Sequence, residues 1–171
     1  AGACGGQFTA NTMATALDFL GLSPIGLSGT PATEPGKKAA AELAGTMAMA
    51  LVRDDVRPSS IVTRAALDNA IASVSASGGS TNAVLHLLAI AHEAGVDLTI
   101  DDFDTIAART PIVADLKPGG RFVANDLFRA GGTALIAREL AKVGLIERNT
   151  ITVSGKTLGE HADEAEERAL Q

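Results

Sequence analysis

The chain has 171 residues, 46% of them hydrophobic and 20% charged, enough for one domain with a real core and too apolar for disorder. Lys plus Arg number 14 against 20 Asp plus Glu, and the net charge of −6 argues against nucleic acid as the partner, because phosphate binding wants a basic face. One cysteine excludes an internal disulfide framework and a closed cysteine-built zinc site, and no apolar run reaches the ~18 residues of a membrane span.

The 5 aromatic residues are all Phe. The core must therefore come from Ala, Leu, Ile, Val and Met, and an aromatic-anchored protein surface or a base-stacking platform loses weight. A lone Cys4 fits a reducing compartment, so a cytoplasmic location is expected, or an organelle in a eukaryotic source. The chain begins Ala-Gly-Ala-Cys-Gly-Gly, with neither Met nor a charged leader. That is no signal peptide, and it reads as a sequence cut within a longer one.

The elements follow in chain order. Thr9 or Asn11 can cap a first helix whose stripe is Met13, Ala16, Leu17 and Leu20, ending at Gly21. Residues 23–36 hold three prolines and several Ser and Thr, so they form a long loop. A second helix runs from about 37 to 53, with Leu43, Met47, Ala50 and Leu51 at helical spacing. Pro58 then forces a break. A third helix, about 63 to 76, carries Leu67, Ile71 and Val74, with an Arg64–Asp68 pair at i, i+4.

Gly78-Gly79 interrupts the pattern. Ser80 or Thr81 caps a fourth helix from about 82 to 94, closed by Gly95 and apolar enough to be buried on most sides. Residues 96–100 can be a short extended piece, and Asp101 and Asp102 begin a helix to about 108. Residues 111–113 are a second strand candidate, stopped at Lys117-Pro118-Gly119-Gly120. Helices near 125–130 and 133–143 follow. Residues 150–153 alternate β-branched side chains and are the best strand candidate. The acidic stretch 160–167 reads as a solvated helix or a frayed end. The fold class is therefore predominantly α with two or three short strands, in one domain over 1–171.

Four groups of residues are candidates for chemistry. Cys4 sits in a glycine-flanked turn before a helix, where free amides stabilise a thiolate; a buried, inert cysteine reads equally well. Gly79, Ser80, Thr81 and Asn82 lie at a helix start whose amides can hold an anion, or else simply form an N-cap. His86 and His92 are six apart, share no face, and are expected to be hydrogen-bonded rather than ligands; His161, in the acidic stretch, is expected to be solvated. Asp97, Asp101, Asp102 and Asp104 lack an EF-hand's glycine and distal Glu. No phosphate loop is present, and no nucleophile–base pair is visible.

Four blocks resemble a known family. GACGGQFTANTMA (2–14) is similar to the cysteine motif of dihydroxy-acid dehydratases. SGGSTNAVLHLLAIAHEAGVDLTIDDF (77–103), ADLKPGG (114–120) and GLIERNTITVSGKTL (144–158) resemble later blocks in the same order. Sugar-acid and phosphogluconate dehydratases share the architecture but usually differ after the cysteine.

The resemblance implies a fragment of a three-layer α/β/α N-terminal domain of an iron–sulfur hydro-lyase. That enzyme dehydrates a small dihydroxy acid to a 2-keto acid in valine and isoleucine biosynthesis. It implies a 2Fe–2S cluster, or 4Fe–4S, acting as Lewis acid, with Mg²⁺ at the substrate carboxylate and a homodimeric parent. Neither nucleic acid nor membrane is a partner. Cys4 matches one cluster ligand. The other cysteines, the Mg²⁺ ligands and the base serine have no counterpart here, so no catalytic residue is assigned within the chain. Gly79, Ser80, Thr81 and Asn82 are expected near cluster or substrate. Phe128 and Gly119 depart from the family's usual His and Ser, and 147–150 also diverges, which leaves open a branched-chain-like dehydratase of altered preference; a sugar-acid dehydratase of the same family is the alternative. In isolation the chain is expected to be inactive. A non-catalytic helical module is the other reading, and a cluster shared by Cys4 of two chains a third.

Overall fold

Helices carry the structure, a computed structural model that describes residues 5–168; Cys4 lies outside the described residues. The first helix, α1 (Thr9–Leu20), ends as expected at Gly21, whose φ of +86° suits glycine. A Cβ on Gly21 would also lie 2.7 Å from the Ile151 carbonyl oxygen. At its start, Phe8 precedes the first turn in extended conformation, and no side chain caps it. Helix α2 (Lys37–Arg53) has the bounds its periodicity predicts, yet none of its residues is buried. Its Ala, Leu, Met and Lys content favours a helix without much packing. An open groove of about 350 Å³ separates its Ala44–Met47–Leu51 side from Leu27 and Val153.

The break expected at Pro58 is present, since α2 stops at Arg53 and residues 54–57 are not helical; Pro58 then opens α3 (Pro58–Ile61), one turn with proline at its first position, where no amide partner is missed. Helix α4 (Arg64–Ala76) is central, capped by Thr63, whose hydroxyl accepts from the Ala66 amide at 3.2 Å. It packs against α1, and also against α5 (Asn82–Ala94), α6 (Ile100–Arg109) and α8 (Thr133–Lys142). Ala66, Leu67, Ala70, Ile71 and Ala76 of α4 are buried with Ala16, Phe19 and Leu20 of α1. Small residues at the crossing let the two backbones approach. α7 (Ala124–Ala130) and α9 (Leu158–Asp163) pack on α8.

Polar contacts pin these layers. Asn69 is buried on α4; its amide donates to the Glu147 carbonyl at 2.9 Å, and its carbonyl accepts from the Glu147 amide at 2.7 Å. Arg64 joins α4 to α6 through Asp102 at 2.6 Å, besides the expected Asp68 at 2.8 Å. The Thr99 amide, Arg64 and the Thr99 hydroxyl together hold the Asp102 carboxyl down at about 2.

Several expectations are corrected. No strand forms among the described residues; only the isolated bridges Leu116↔Phe122 and Ile151↔Thr157 do. The candidate strand at 111–113 lacks a partner, because the Val113 and Ala114 amides both donate to the Ala76 carbonyl at the end of α4. The one at 96–100 runs directly into α6, whose start is a Thr99–Asp102 capping box. Helix α5 buries one face only, Ala83, Leu87 and Ala91, and Leu85 is 69% exposed. The acidic stretch 160–167 is helical only to Asp163; within it Glu160, Asp163, Glu164, Glu166 and Glu167 are exposed as expected, and Ala162 is buried.

Candidate functional site

The residues that follow Cys4 are held by both backbone and side-chain hydrogen bonds. The Gln7 amide donates to the Lys117 carbonyl at 2.6 Å, and the Ala124 amide donates to the Gly5 carbonyl at 3.0 Å. Asn11 donates its side-chain amide to the Gly6 carbonyl at 2.8 Å, and the Thr12 hydroxyl donates to the Gln7 carbonyl at 3.0 Å. All three carbonyls from Gly5 to Gln7 are therefore occupied. Gly6 allows the approach, since a Cβ there would lie 2.6 Å from the Lys117 oxygen. At Gly5 the space is open. The clamping loop, 115–124, is itself fastened by the Lys117 amide on Phe122 and by the Arg121–Asp115 ion pair.

Gly6→Ala is expected to break the Gln7–Lys117 bond and to cost about 1–3 kcal/mol, the usual penalty of forcing extra volume into a packed site. Urea unfolding of the two proteins measures it. A change below about 0.5 kcal/mol, within the range of ordinary surface substitutions, would mean that the loop simply moves away.

The second glycine pair meets the same segment. Thr12 Oγ1 accepts from the Ser80 amide at 3.0 Å while donating to Gln7, so one hydroxyl joins the two blocks. A Cβ on Gly79 would lie 2.8 Å from Thr12 Cγ2. Asn82 donates to Thr9 Oγ1 at 2.7 Å, and Ser80 Oγ accepts from the Asn82 amide at 3.2 Å. Thr81 is exposed and caps nothing. The idea that this helix start offers free amides is corrected. The amides of Ser80, Asn82, Ala83 and Val84 are all taken, the last two by the carbonyls of Ser80 and Thr81. Gly79, Ser80 and Asn82 instead brace α1 near its first turn.

Other candidates stay apart from this cluster. His86 and His92 are exposed, and the hydrogen bonds expected for them are not seen among the described residues. Phe128 is half-buried and lines a narrow cavity of about 40 Å³ together with Gln7, Asn11, Gly132 and Thr133. Asp18, which the sequence reading passed over, is fully buried on α1. It accepts from the Thr133 hydroxyl at 2.6 Å, the Gly26 amide at 2.8 Å and the Ser28 hydroxyl at 2.8 Å. Burial raises its pKa above the usual carboxylate value, against the opposing pull of those three donors and Ser23. An acidic residue between Leu17 and Phe19 in an apolar helix was the available signal. His161 is not solvated either; its Nε2 lies 2.7 Å from Ser154 Oγ.

Among the described residues, no group of three or more His, Cys, Asp or Glu could hold a metal ion. They therefore do not by themselves fit an iron–sulfur cluster or a Mg²⁺ ion.

A family model described as dihydroxy-acid/6-phosphogluconate dehydratase N-terminal matches residues 1–161. The chain is 57% identical over 167 residues to a dihydroxy-acid dehydratase of Koribacter versatilis, covering 98% of this chain and 29% of that protein. It is 51% identical to a dihydroxy-acid dehydratase of Thermus thermophilus, over 96% of this chain and 30% of the relative. It is 48% identical to the mitochondrial dihydroxy-acid dehydratase astD of Aspergillus terreus, over 94% and 27% respectively. The chain thus spans under a third of the length of these relatives. On this match, across nearly all its residues, the chain belongs to the dihydroxy-acid/6-phosphogluconate dehydratase family, whose N-terminal region it resembles throughout.

Proposed function

We propose that the chain is the cysteine-bearing part of a hydro-lyase that converts 2,3-dihydroxy-3-methyl carboxylic acids to 2-keto acids for valine and isoleucine synthesis. Cys4 is one ligand of its iron–sulfur cluster, of the 2Fe–2S type. Mg²⁺, the remaining cysteines and the base serine come from parts of the enzyme outside this sequence. The enzyme is a cytoplasmic homodimer, and its N-terminal domain is completed into three layers by those other parts.

The observation that carries this reading is the convergence on the segment after Cys4. Blocks far apart in sequence meet there: Lys117 through Gln7, and Ser80 through Thr12. A cluster ligand must hold its sulfur in one place, and a preformed backbone does that without a cost at binding. Gly79, Ser80 and Asn82 act here as positioning residues, and Thr81, exposed beside them, is free to face substrate. The relatives' names support the substrate class.

The test is Cys4→Ser in a protein of the relatives' full length that carries this sequence. Visible cluster absorbance and turnover of the dihydroxy acid should both be lost. Unchanged spectrum and activity would refute the assignment. Iron and sulfide reconstitution of the chain alone should give no turnover, and a stoichiometric cluster with activity there would show that the chain suffices.

A further inference from the structure

Helix α2 has a second edge that the fold leaves uncovered. Lys38, Glu42, Gly45, Met49 and Val52 recur at alternating steps of four and three, so they form one seam along the helix. On it Met49 is 61% exposed and Val52 73%. The side toward Leu27 and Val153 is a different one, lined by Ala40, Ala44, Met47 and Leu51. Gly45 is the unusual member of the seam. Glycine is the poorest helix former after proline. Yet Gly45 has no positive φ, and a Cβ there would have nothing within 4 Å. Among the described residues neither backbone conformation nor crowding calls for a glycine there, one turn before an exposed methionine. The charges beside the seam are also loosely held. Arg53 is exposed with no ion pair among the described residues, and the Glu42 carboxylate has only Lys38, at 3.8 Å.

We propose that α2 is the helix through which two copies of this chain pair, antiparallel about a twofold axis level with residue 47. The proposal deepens the homodimeric part of the function proposed above by naming its surface. It needs neither cluster nor substrate, so it stands or falls apart from the Cys4 assignment. With the axis at residue 47, Met49 of each copy lies over the partner copy's Gly45 and fills the space that the glycine leaves. Glu42 comes level with Val52 of the partner copy. An axis perpendicular to the two helices brings like flanks together, and Glu42 and Arg53 share a flank, so each Glu42 meets the partner copy's Arg53. Both contacts occur twice, as a twofold interface requires.

The occupant follows from this self-complementarity: small side chain opposite large, acid opposite base. A parallel pair lacks it, since Gly45 would then face Gly45, Met49 face Met49 and Glu42 face Glu42. Ala41 and Ala48, exposed on the other flank, let the helices approach closely. A single helix pair is a small interface, so the association is weak and depends on concentration.

Sedimentation velocity of the chain over a concentration series should therefore show a monomer–dimer equilibrium. Gly45→Leu should raise the dimer dissociation constant by about tenfold or more, the effect of forcing volume into a packed contact. Its helical circular dichroism and unfolding midpoint should hold or rise, because leucine favours the helix. Arg53→Glu should weaken the dimer, and adding Glu42→Arg should restore it. In a Cys4→Ser background, a mixture of Gly45→Cys and Met49→Cys chains should form the disulfide between unlike chains. A chain that stays monomeric at every concentration overturns the proposal. So does a dimer that Gly45→Leu and Arg53→Glu leave unchanged, or one that links 45 to 45 and 49 to 49 instead. Should Gly45→Leu lose helicity, the charge exchange at two exposed positions decides by itself.

Discussion

Phe19→Ala is expected to lower the unfolding free energy by about 3–5 kcal/mol, the usual loss when a fully buried Phe is truncated. Ordinary domains have only about 5–15 kcal/mol in total, so much of the reserve goes. Phe19 is fully buried, whereas Phe8 and Phe122 are largely exposed. Around it the core is rich in alanine, including Ala16, Ala66 and Ala70. Alanine has no rotamer with which to fill a hole. Methionine is the flexible filler, and of the three only Met13 packs against this core; Met47 and Met49 lie on α2, none of whose residues is buried. The cavity should therefore persist apart from what Met13 can fill. Urea unfolding should show a lower midpoint at unchanged slope. Leu85→Ala, at an exposed site, should change the unfolding free energy by no more than about 0.5 kcal/mol. A Phe19→Ala loss below about 1 kcal/mol would mean that the core repacks around the gap.

The same core explains what could be read from the sequence. Helices α2 and α5 have the bounds that spacing and terminal glycine predict, because helical periodicity and capping are local properties. Strands are not local. Residues 150–153 have β-branched alternation, but a strand needs a neighbour, and Ile151 meets only Thr157 across a turn. Helix α5 was read as buried because it is apolar, yet hydrophobicity does not state how many faces find a partner. In that region the structure leaves Leu85 and Ile100 outside.

The candidate site divides in the same way. The glycine pairs and the hydroxyl-rich block after Gly79 stand out in the sequence as unusual. Their purpose does not, since Thr12 and Ser80 are 68 residues apart and joined by one hydrogen bond. Helix-start amides are free by default, and only a tertiary structure reveals that Ser80's is consumed by Thr12. Gly6 was legible as a turn residue. Its second reason, the approach of the Lys117 carbonyl, lies in a different loop. Ser154 and His161 are seven apart, and it is the turn before α9, not a helical or strand repeat, that brings them within hydrogen-bond distance.

Asp18 has the second large effect, with a pH signature of its own. Asp18→Ala strands the Gly26 amide and the buried Thr133 hydroxyl, at about 1–3 kcal/mol for each buried donor left unpaired. Ser28 is exposed, so its hydroxyl turns to water. Asp18→Asn keeps the shape but offers one acceptor oxygen where three donors converge. Burial, the dominant influence, leaves the native pKa raised. The native state then keeps a proton that the unfolded chain has released, so the favourable contribution is complete below the unfolded value, about 3.9. It is lost as pH rises through the native pKa. The stability advantage of the native protein over Asp18→Asn should accordingly be greatest at the acid end and shrink with rising pH. Other carboxylates, such as Asp102, have lowered pKa values and give the opposite slope, but they cancel in the difference. An advantage that grows with pH would mean that Thr133, Gly26 and Ser28 outweigh burial and hold the ionised form. Thr133→Val separates the two cases: removing the shortest donor should raise the Asp18 pKa further and extend the falling limb to higher pH.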